Sequence, residues 1–299
     1  MKERKKLRDI HPSHVIFDTL NTIFMILLSI VCIYPLWYIF IYSISAPLEA
    51  AKGLTLLPRS VTLTNFAMIL RESKIFHALG VSFARTILGT AITVVCTSFM
   101  AYLFVQPKLP FRRFFNRLVI ITMYFSSGLI PWYLTMYYYG FKNSFLLYVI
   151  PSAVNAYFMI LIKAYLESLP ASLQEAAEID GAGIFTVFTK IILPLCKPIL
   201  ATITLFSAVN QWNTWSDNFY LVKDANLKTL QLTLYEYFQS NAPSIENMRD
   251  LASIMSQRTV TTTSIRMCIA VITIVPIFIV YPFVQKYFQK GIMIGAVKG

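Results

Sequence analysis

The stretch Glu175-Ala176-Ala177-Glu178-Ile179-Asp180-Gly181, followed after a helix-sized gap by Ile191-Ile192-Leu193-Pro194, decides how this chain is read. It is a polar island between two long apolar segments. Of the 299 residues, 57% are hydrophobic and 13% charged, whereas a soluble domain carries roughly 25% charged residues. So small a polar complement cannot cover a water-facing surface, and the class is an all-α integral membrane protein. The net charge of +12 sits in tails and short loops. That placement fits the cytoplasmic bias of membrane proteins and not nucleic-acid binding.

A helix needs about 20 mostly apolar residues to cross the hydrocarbon core. Six segments qualify: roughly 16–45, 77–105, 115–138, 145–166, 198–220 and 265–285. Pro35, Pro131, Pro276 and Pro282 lie inside them and are expected to kink them. The run from Val15 to Ile44 is too long for the core of a cleaved signal, so it is expected to stay as the first span. Lys2 to Arg8 and the short 106–117 loop (Lys108, Arg112, Arg113, Arg117) carry the clearest positive charge. They place the N-terminus, and with six spans both termini, in the cytoplasm. The expected organisation is a basic tail 1–15, a six-span transmembrane domain 16–285 with an inner loop 167–197 and a long outer loop 219–264, and a cytoplasmic tail 286–299. Cys32, Cys96, Cys196 and Cys268 form no metal or disulfide pattern, and His11, His14 and His77 have no ligand set around them.

Within the inner loop, Ser172-Leu173-Gln174-Glu175 fits a capping box just after Pro170. Ala176 and Ala177 offer almost no side chain, so another protein could approach the backbone. Gly181 and Gly183 permit a sharp exit. A second short helix, about Ile184 to Ile192, leads to Pro194 and Pro198. By these features alone, an ordinary capped helix in a solvated loop is an equally good reading.

The full spacing E-A-A-x3-G-x9-I-x-L-P resembles the cytoplasmic "EAA" loop of permease subunits of ATP-binding-cassette (ABC) importers. Ala101-Tyr102-Leu103, Gly128-Leu129-Ile130-Pro131, and the tail from Gln285 through Gly295-Ala296-Val297-Lys298-Gly299 are similar to carbohydrate permeases of the maltose-transporter type. They are most like the branch for oligosaccharides or polysaccharide fragments. The resemblance implies the type I ABC importer permease fold. It also implies a second homologous permease, two ATPase subunits, and an extracytoplasmic sugar-binding protein or lipoprotein, in a bacterial cytoplasmic membrane. Glu175 would contact basic residues of the ATPase, with Ala176, Ala177, Asp180, Gly181 and Ala182 completing the coupling motif. No G-x-x-x-x-G-K-[ST] occurs in the chain. It is therefore expected to be a transport subunit without cofactor or catalytic residue of its own, with ATP and Mg held by the partner.

Candidates for the substrate path lie elsewhere. Trp212, Asn213, Trp215, Asp217 and Asn218 put indoles and amides near the outer end of the fifth span. They suit a sugar, or equally an interfacial aromatic belt with interhelical hydrogen bonds. Arg85 is ionisable inside the second span, where a charge is costly. Pairing with Asp217, reaching outward to water, and meeting an acidic sugar are all open to it. A permease for a polyamine or amino acid is the alternative function. A membrane-embedded enzyme is less well supported, because the acids cluster in the inner loop and no nucleophile–base set is visible.

Overall fold

The structure, a computed structural model, describes residues 12–50, 52–53, 56–239 and 261–296. The described part is all-helical. In chain order the helices are α1 (Pro12–Ser43), α2 (Pro47–Ala50), α3 (Thr64–Arg71), α4 (Ser73–Val105), α5 (Arg112–Tyr124), α6 (Leu129–Tyr138), α7 (Ala156–Leu166), α8 (Ser172–Ile179), α9 (Ile184–Val187), α10 (Leu193–Leu195), α11 (Lys197–Asn213), α12 (Ser216–Leu221), α13 (Leu230–Gln239) and α14 (Thr262–Ala296). A 3-10 turn covers Phe145–Tyr148 and a π turn covers Phe188–Ile192. Residues 240–260 of the expected outer loop, residues 1–11 of the N-terminal tail and residues 297–299 lie outside the described residues.

Among the described residues, three helices are long and apolar enough to cross a membrane: Val15–Ser43, Ser73–Val105 and Thr263–Pro282. Two bent pairs raise this to five if each pair is one span. Arg112–Tyr124 and Leu129–Tyr138 meet at 119°, and Ile184–Leu195 meets Lys197–Asn213 at 84°. The continuous third span expected at 115–138 is therefore broken. The break falls at Phe125 to Gly128, where Gly128 has φ 78°. Pro131 is the third residue of α6. It sits in a first turn that does not need its missing amide, so it opens a helix instead of kinking one. The expected fourth span, 145–166, is a 3-10 turn, an irregular stretch and the 11-residue α7. Asn155 starts α7 by accepting the Phe158 amide at 3.0 Å. At 1.5 Å per residue α7 alone reaches about 16 Å, roughly half the hydrocarbon thickness.

The chain forms two compact units. In the first, residues 1–69 and 243–271, the buried Asn65 ties down the end of α1. Its amide donates to the Ser43 and Ser45 carbonyls at 2.9 and 3.1 Å. The Cys268 thiol donates to the same Ser43 carbonyl at 3.4 Å. In the second, residues 70–242 and 272–299, α4 is the central pillar, with α11 and α7 packed on it. Its C-terminal half joins a core that includes Tyr102, Met159, Ile162, Val187 and Ile203. Gly89 lets α11 come close: a Cβ there would lie 2.5 Å from Gln211 Nε2. Small residues at helix contacts serve this purpose in membranes.

Candidate functional site

The helix of the 167–197 loop begins one residue earlier than the capping box implied, with Ala171 at its N-cap position. The Leu173 amide bonds the Pro170 carbonyl at 3.3 Å, and the amides of Gln174 and Glu175 bond that of Ala171 at 3.0 and 3.1 Å. Ala171 is already helical, with φ −61° and ψ −30°, and no side chain caps the start. Proline presets a helical φ, so the turn nucleates at Pro170 and Ser172 lies inside it instead of capping it.

The exit follows the glycine. Gly181 has φ 79°; its amide returns to Glu178 at 3.1 Å and that of Ala182 returns to Ala177 at 2.9 Å. This pair of bonds is a Schellman stop, and only glycine adopts its left-handed position without penalty. The associated apolar contact is present too, since Ala177 is buried and Ala182 packs on the same core.

The stop leaves α8 as a two-sided knob. Gln174, Ala177 and Glu178, spaced i, i+3 and i+4, share its inner face. Glu178 takes Lys108 Nζ at 2.7 Å and Gln174 Nε2 at 3.0 Å. The Gln174 hydrogen bond first, and Lys108 second, hold the Glu178 carboxyl below the usual carboxylate range. The other surface is open. Glu175, Ala176 and Asp180 are exposed, and among the described residues neither the Glu175 nor the Asp180 carboxylate has an ion-pair partner. Ile179 is 86% exposed and Phe185 69%. Unengaged acid beside exposed large apolar groups has the composition of a protein-contact surface. After it, Phe188–Ile192 forms the π turn immediately before Pro194, whose ring would crowd the Lys190 carbonyl in a tighter turn.

The outer candidates separate into two groups. Arg85 is 3% exposed and fully engaged. It donates Nη2 to Asp217 Oδ2 at 2.7 Å, Nη1 to Asp217 Oδ1 at 3.1 Å and to the Thr214 carbonyl at 3.0 Å, and Nε to Gln211 Oε1 at 3.1 Å. Its guanidinium lies 4.6 Å from the Tyr148 ring centroid. Of the roles open to Arg85, this structure adopts the Asp217 pair. Gln211 passes the network on, donating to the Tyr148 carbonyl at 3.2 Å and to Ser152 Oγ at 2.7 Å. Asn218 is fully buried and donates to the Tyr148 hydroxyl and to the Leu227 carbonyl. Trp212 is buried, with its indole N–H on the Thr273 carbonyl at 3.1 Å and Phe83 edge-on at 5.2 Å. These side chains pin helices together.

Asn213 and Trp215 differ. Asn213 is exposed and accepts from Gln231 at 3.2 Å. Trp215 is half-buried and stacks on Tyr235 at 3.9 Å between centroids. Sequence reading missed Tyr148, Tyr235 and Gln174 as site members. Gln174 was within the motif but had no visible partner, and a tyrosine among many aromatic residues carries no signal. Among the described residues, no group of three or more His, Cys, Asp or Glu could hold a metal ion.

The geometry defines a helical membrane chain with an exposed acidic knob. No protein-family model matches the chain. Whole-chain relatives do. A polygalacturonan/rhamnogalacturonan transport system permease protein of Bacillus subtilis is 33% identical over 95% of this chain and 99% of its own length. An arabinooligosaccharides transport system permease protein of Halalkalibacterium halodurans is 27% identical, over 95% and 98%. The crystal structure of a bacterial ABC transporter involved in the import of the acidic polysaccharide alginate contains a chain that matches with a TM-score of 0.87 at 29% identity. That match covers 94% of this chain and 99% of the other. The chain belongs to the permease subunits of sugar-importing ABC transporters. The relatives favour a sugar over a polyamine or an amino acid as the solute.

Proposed function

We propose that this permease crosses the bacterial cytoplasmic membrane six times with both termini inside, and that α8 is the knob an ATPase subunit grips. The broken pair α5–α6 and the helix α11 each supply one span in this reading, and the Phe145–Leu166 segment supplies the shortest. The tail 286–299 and the loop 167–197 then share the cytoplasmic side. ATP and Mg are bound and turned over in the partner ATPase. A second, similar permease completes the pathway, and an extracytoplasmic binding protein delivers an oligosaccharide or polysaccharide fragment.

One observation carries this reading. The outward face of α8 offers Glu175 and Asp180 with no ion-pair partner among the described residues, beside Leu173, Ile179, Ile184 and Phe185, all large and exposed. A complementary partner would bring basic residues and an apolar groove. Ala176 lets its backbone come close. Closure of two ATPase subunits would then move α8 and be passed on as rigid-body rotation of the helices, opening the cavity to alternate sides. Loaded binding protein shifts this equilibrium only by preferring one state.

Along the solute path, we assign Asn213 and Trp215 as the side chains that meet sugar, by an amide and an indole face. Arg85, Trp212, Asp217 and Asn218 act as interhelical pins. The test is co-purification with the cognate ATPase. Glu175→Arg is expected to lose the ATPase while the permease pair stays assembled. Normal ATPase recovery with this variant contradicts the docking assignment.

A further inference from the structure

The α4 pillar ends at Val105, and the Gln106 amide closes it on the Leu103 carbonyl at 3.1 Å. The Gln106 side chain does not turn to water. Gln106 is 7% exposed and exchanges amide bonds with Gln174 of α8. Gln106 Nε2 donates to Gln174 Oε1 at 3.3 Å, and Gln174 Nε2 donates back to Gln106 Oε1 at 2.5 Å. The same Gln174 nitrogen reaches Glu178 Oε1 at 3.0 Å, and Lys108 closes on the other Glu178 oxygen at 2.7 Å. Two side chains from the turn after α4 and two from α8 thus form one continuous hydrogen-bonded chain.

We propose that this Gln106–Gln174–Glu178–Lys108 latch is the strut that carries the movement of α8 into α4 and stays closed through the transport cycle. The inference rests on α8 being the ATPase contact. The two faces of the short helix are divided between the two tasks. Gln174, Ala177 and Glu178 hold the pillar, while Glu175 and Ile179 remain open to a motor.

Gln106 is buried and Gln174 half-buried, both beside Tyr102. Sliding α8 along the turn would leave the buried Gln106 amide without its partner, which is more costly than moving both elements together. The Lys108–Glu178 pair at the solvent edge, with Lys108 80% exposed, adds register more than strength. From Gln106 to Arg85 the pillar runs about 31 Å at 1.5 Å per residue. At that far point Arg85 grips Gln211 and Asp217 beyond the start of α11, so α4 links the knob to the outer hub as one lever.

The experiment uses the complete transporter in nanodiscs, with spin labels at Arg113 and at Ser172, an exposed position at the start of α8 outside both the docking face and the latch, introduced through noncanonical amino acids so that the native cysteines stay. ATP with vanadate is the probe. With the latch intact, the label distance is expected to be the same in the nucleotide-free and trapped states. In Gln106→Leu/Lys108→Glu it is expected to broaden or shift on trapping, while the ATPase stays bound and still hydrolyses ATP. In the charge-swapped Lys108→Glu/Glu178→Lys the single distance is expected to return. A distance that shifts on trapping in the unaltered protein overturns the latch, as does one that stays fixed in Gln106→Leu/Lys108→Glu. Failure of the docking reading shows separately, as ATPase retained by Glu175→Arg.

Discussion

Arg85–Asp217 and Lys108–Glu178 are both ion pairs with a 2.7 Å contact, yet they sit in opposite settings. The first pair's side chains are 4% and 13% exposed, the second's 80% and 38%. The buried pair is bidentate and carries further bonds to Gln211 and the Thr214 carbonyl, so all three nitrogens of a desolvated charge are engaged. The other is solvated at its rim and leans on an amide pair for its position. One arrangement fixes helices against each other; the other lets a surface element be held and still be reached by a partner. Burial, not the identity of the charges, sets which role an ion pair plays.

The largest effect should come from breaking the buried side of this comparison. Arg85→Ala leaves Asp217 uncompensated and is expected to cost about 3–5 kcal/mol. Thermal unfolding of the purified permease pair in detergent measures it, and Arg85→Ala/Asp217→Ala should recover part of the loss. A loss no larger for Arg85→Ala than for the double variant would mean the pair is not desolvated. Next is Gly89→Ala, which drives a methyl into the Gln211 amide that Arg85 holds. Overpacking of this kind costs about 1–3 kcal/mol, and the same melting assay should show it, relieved by Gln211→Ala.

Gly181→Ala is smaller. No atom lies within 4 Å of the added Cβ, so only the left-handed backbone is strained, by about 1–2 kcal/mol. The expected signature is looser ATPase binding with little change in melting, because the strain falls at the end of α8.

The smallest effect sharpens the exposed side. Glu178 has a lowered folded-state value, so its pair with Lys108 is present above the ordinary carboxylate range. The pair is lost only as pH falls through that lowered value. Lys108→Gln removes one of the two causes, and the Glu178 titration followed by carboxyl NMR should move upward, with the melting temperature unchanged. A titration that stays where it was would assign the whole shift to Gln174.

Hydropathy alone found the regions of α1, α4 and α14, because length and apolar content are properties of a single helix. The breaks were less legible. Ser126-Ser127-Gly128 before Pro131 reads equally as a kink inside a span or as a stop and restart, and only the φ of Gly128 separates them. The 145–166 segment looked continuous because apolar residues that end up buried stand on both sides of Pro151, Leu147 and Val149 before it and Met159 and Ile162 after it. The short helix α8 and its stop were the most legible local geometry, since Gly181 acts through the backbone alone. The inner contacts of α8 were not: Gln106 and Gln174 lie 68 residues apart in the chain, and nothing in either neighbourhood names the other. The same limit applied to Arg85, whose several readings could be narrowed only once Asp217 and Gln211 were in place around it.

The central claim, that the exposed face of α8 meets a motor inside the cell, is tested most directly by labelling Ile179→Cys with a membrane-impermeant maleimide, against the unmodified chain as background. Intact cells should leave the position unlabelled, permeabilised cells should label it, and co-expression of the ATPase should protect it. Labelling from outside intact cells would put α8 beyond the reach of any cytoplasmic ATPase and contradict the account.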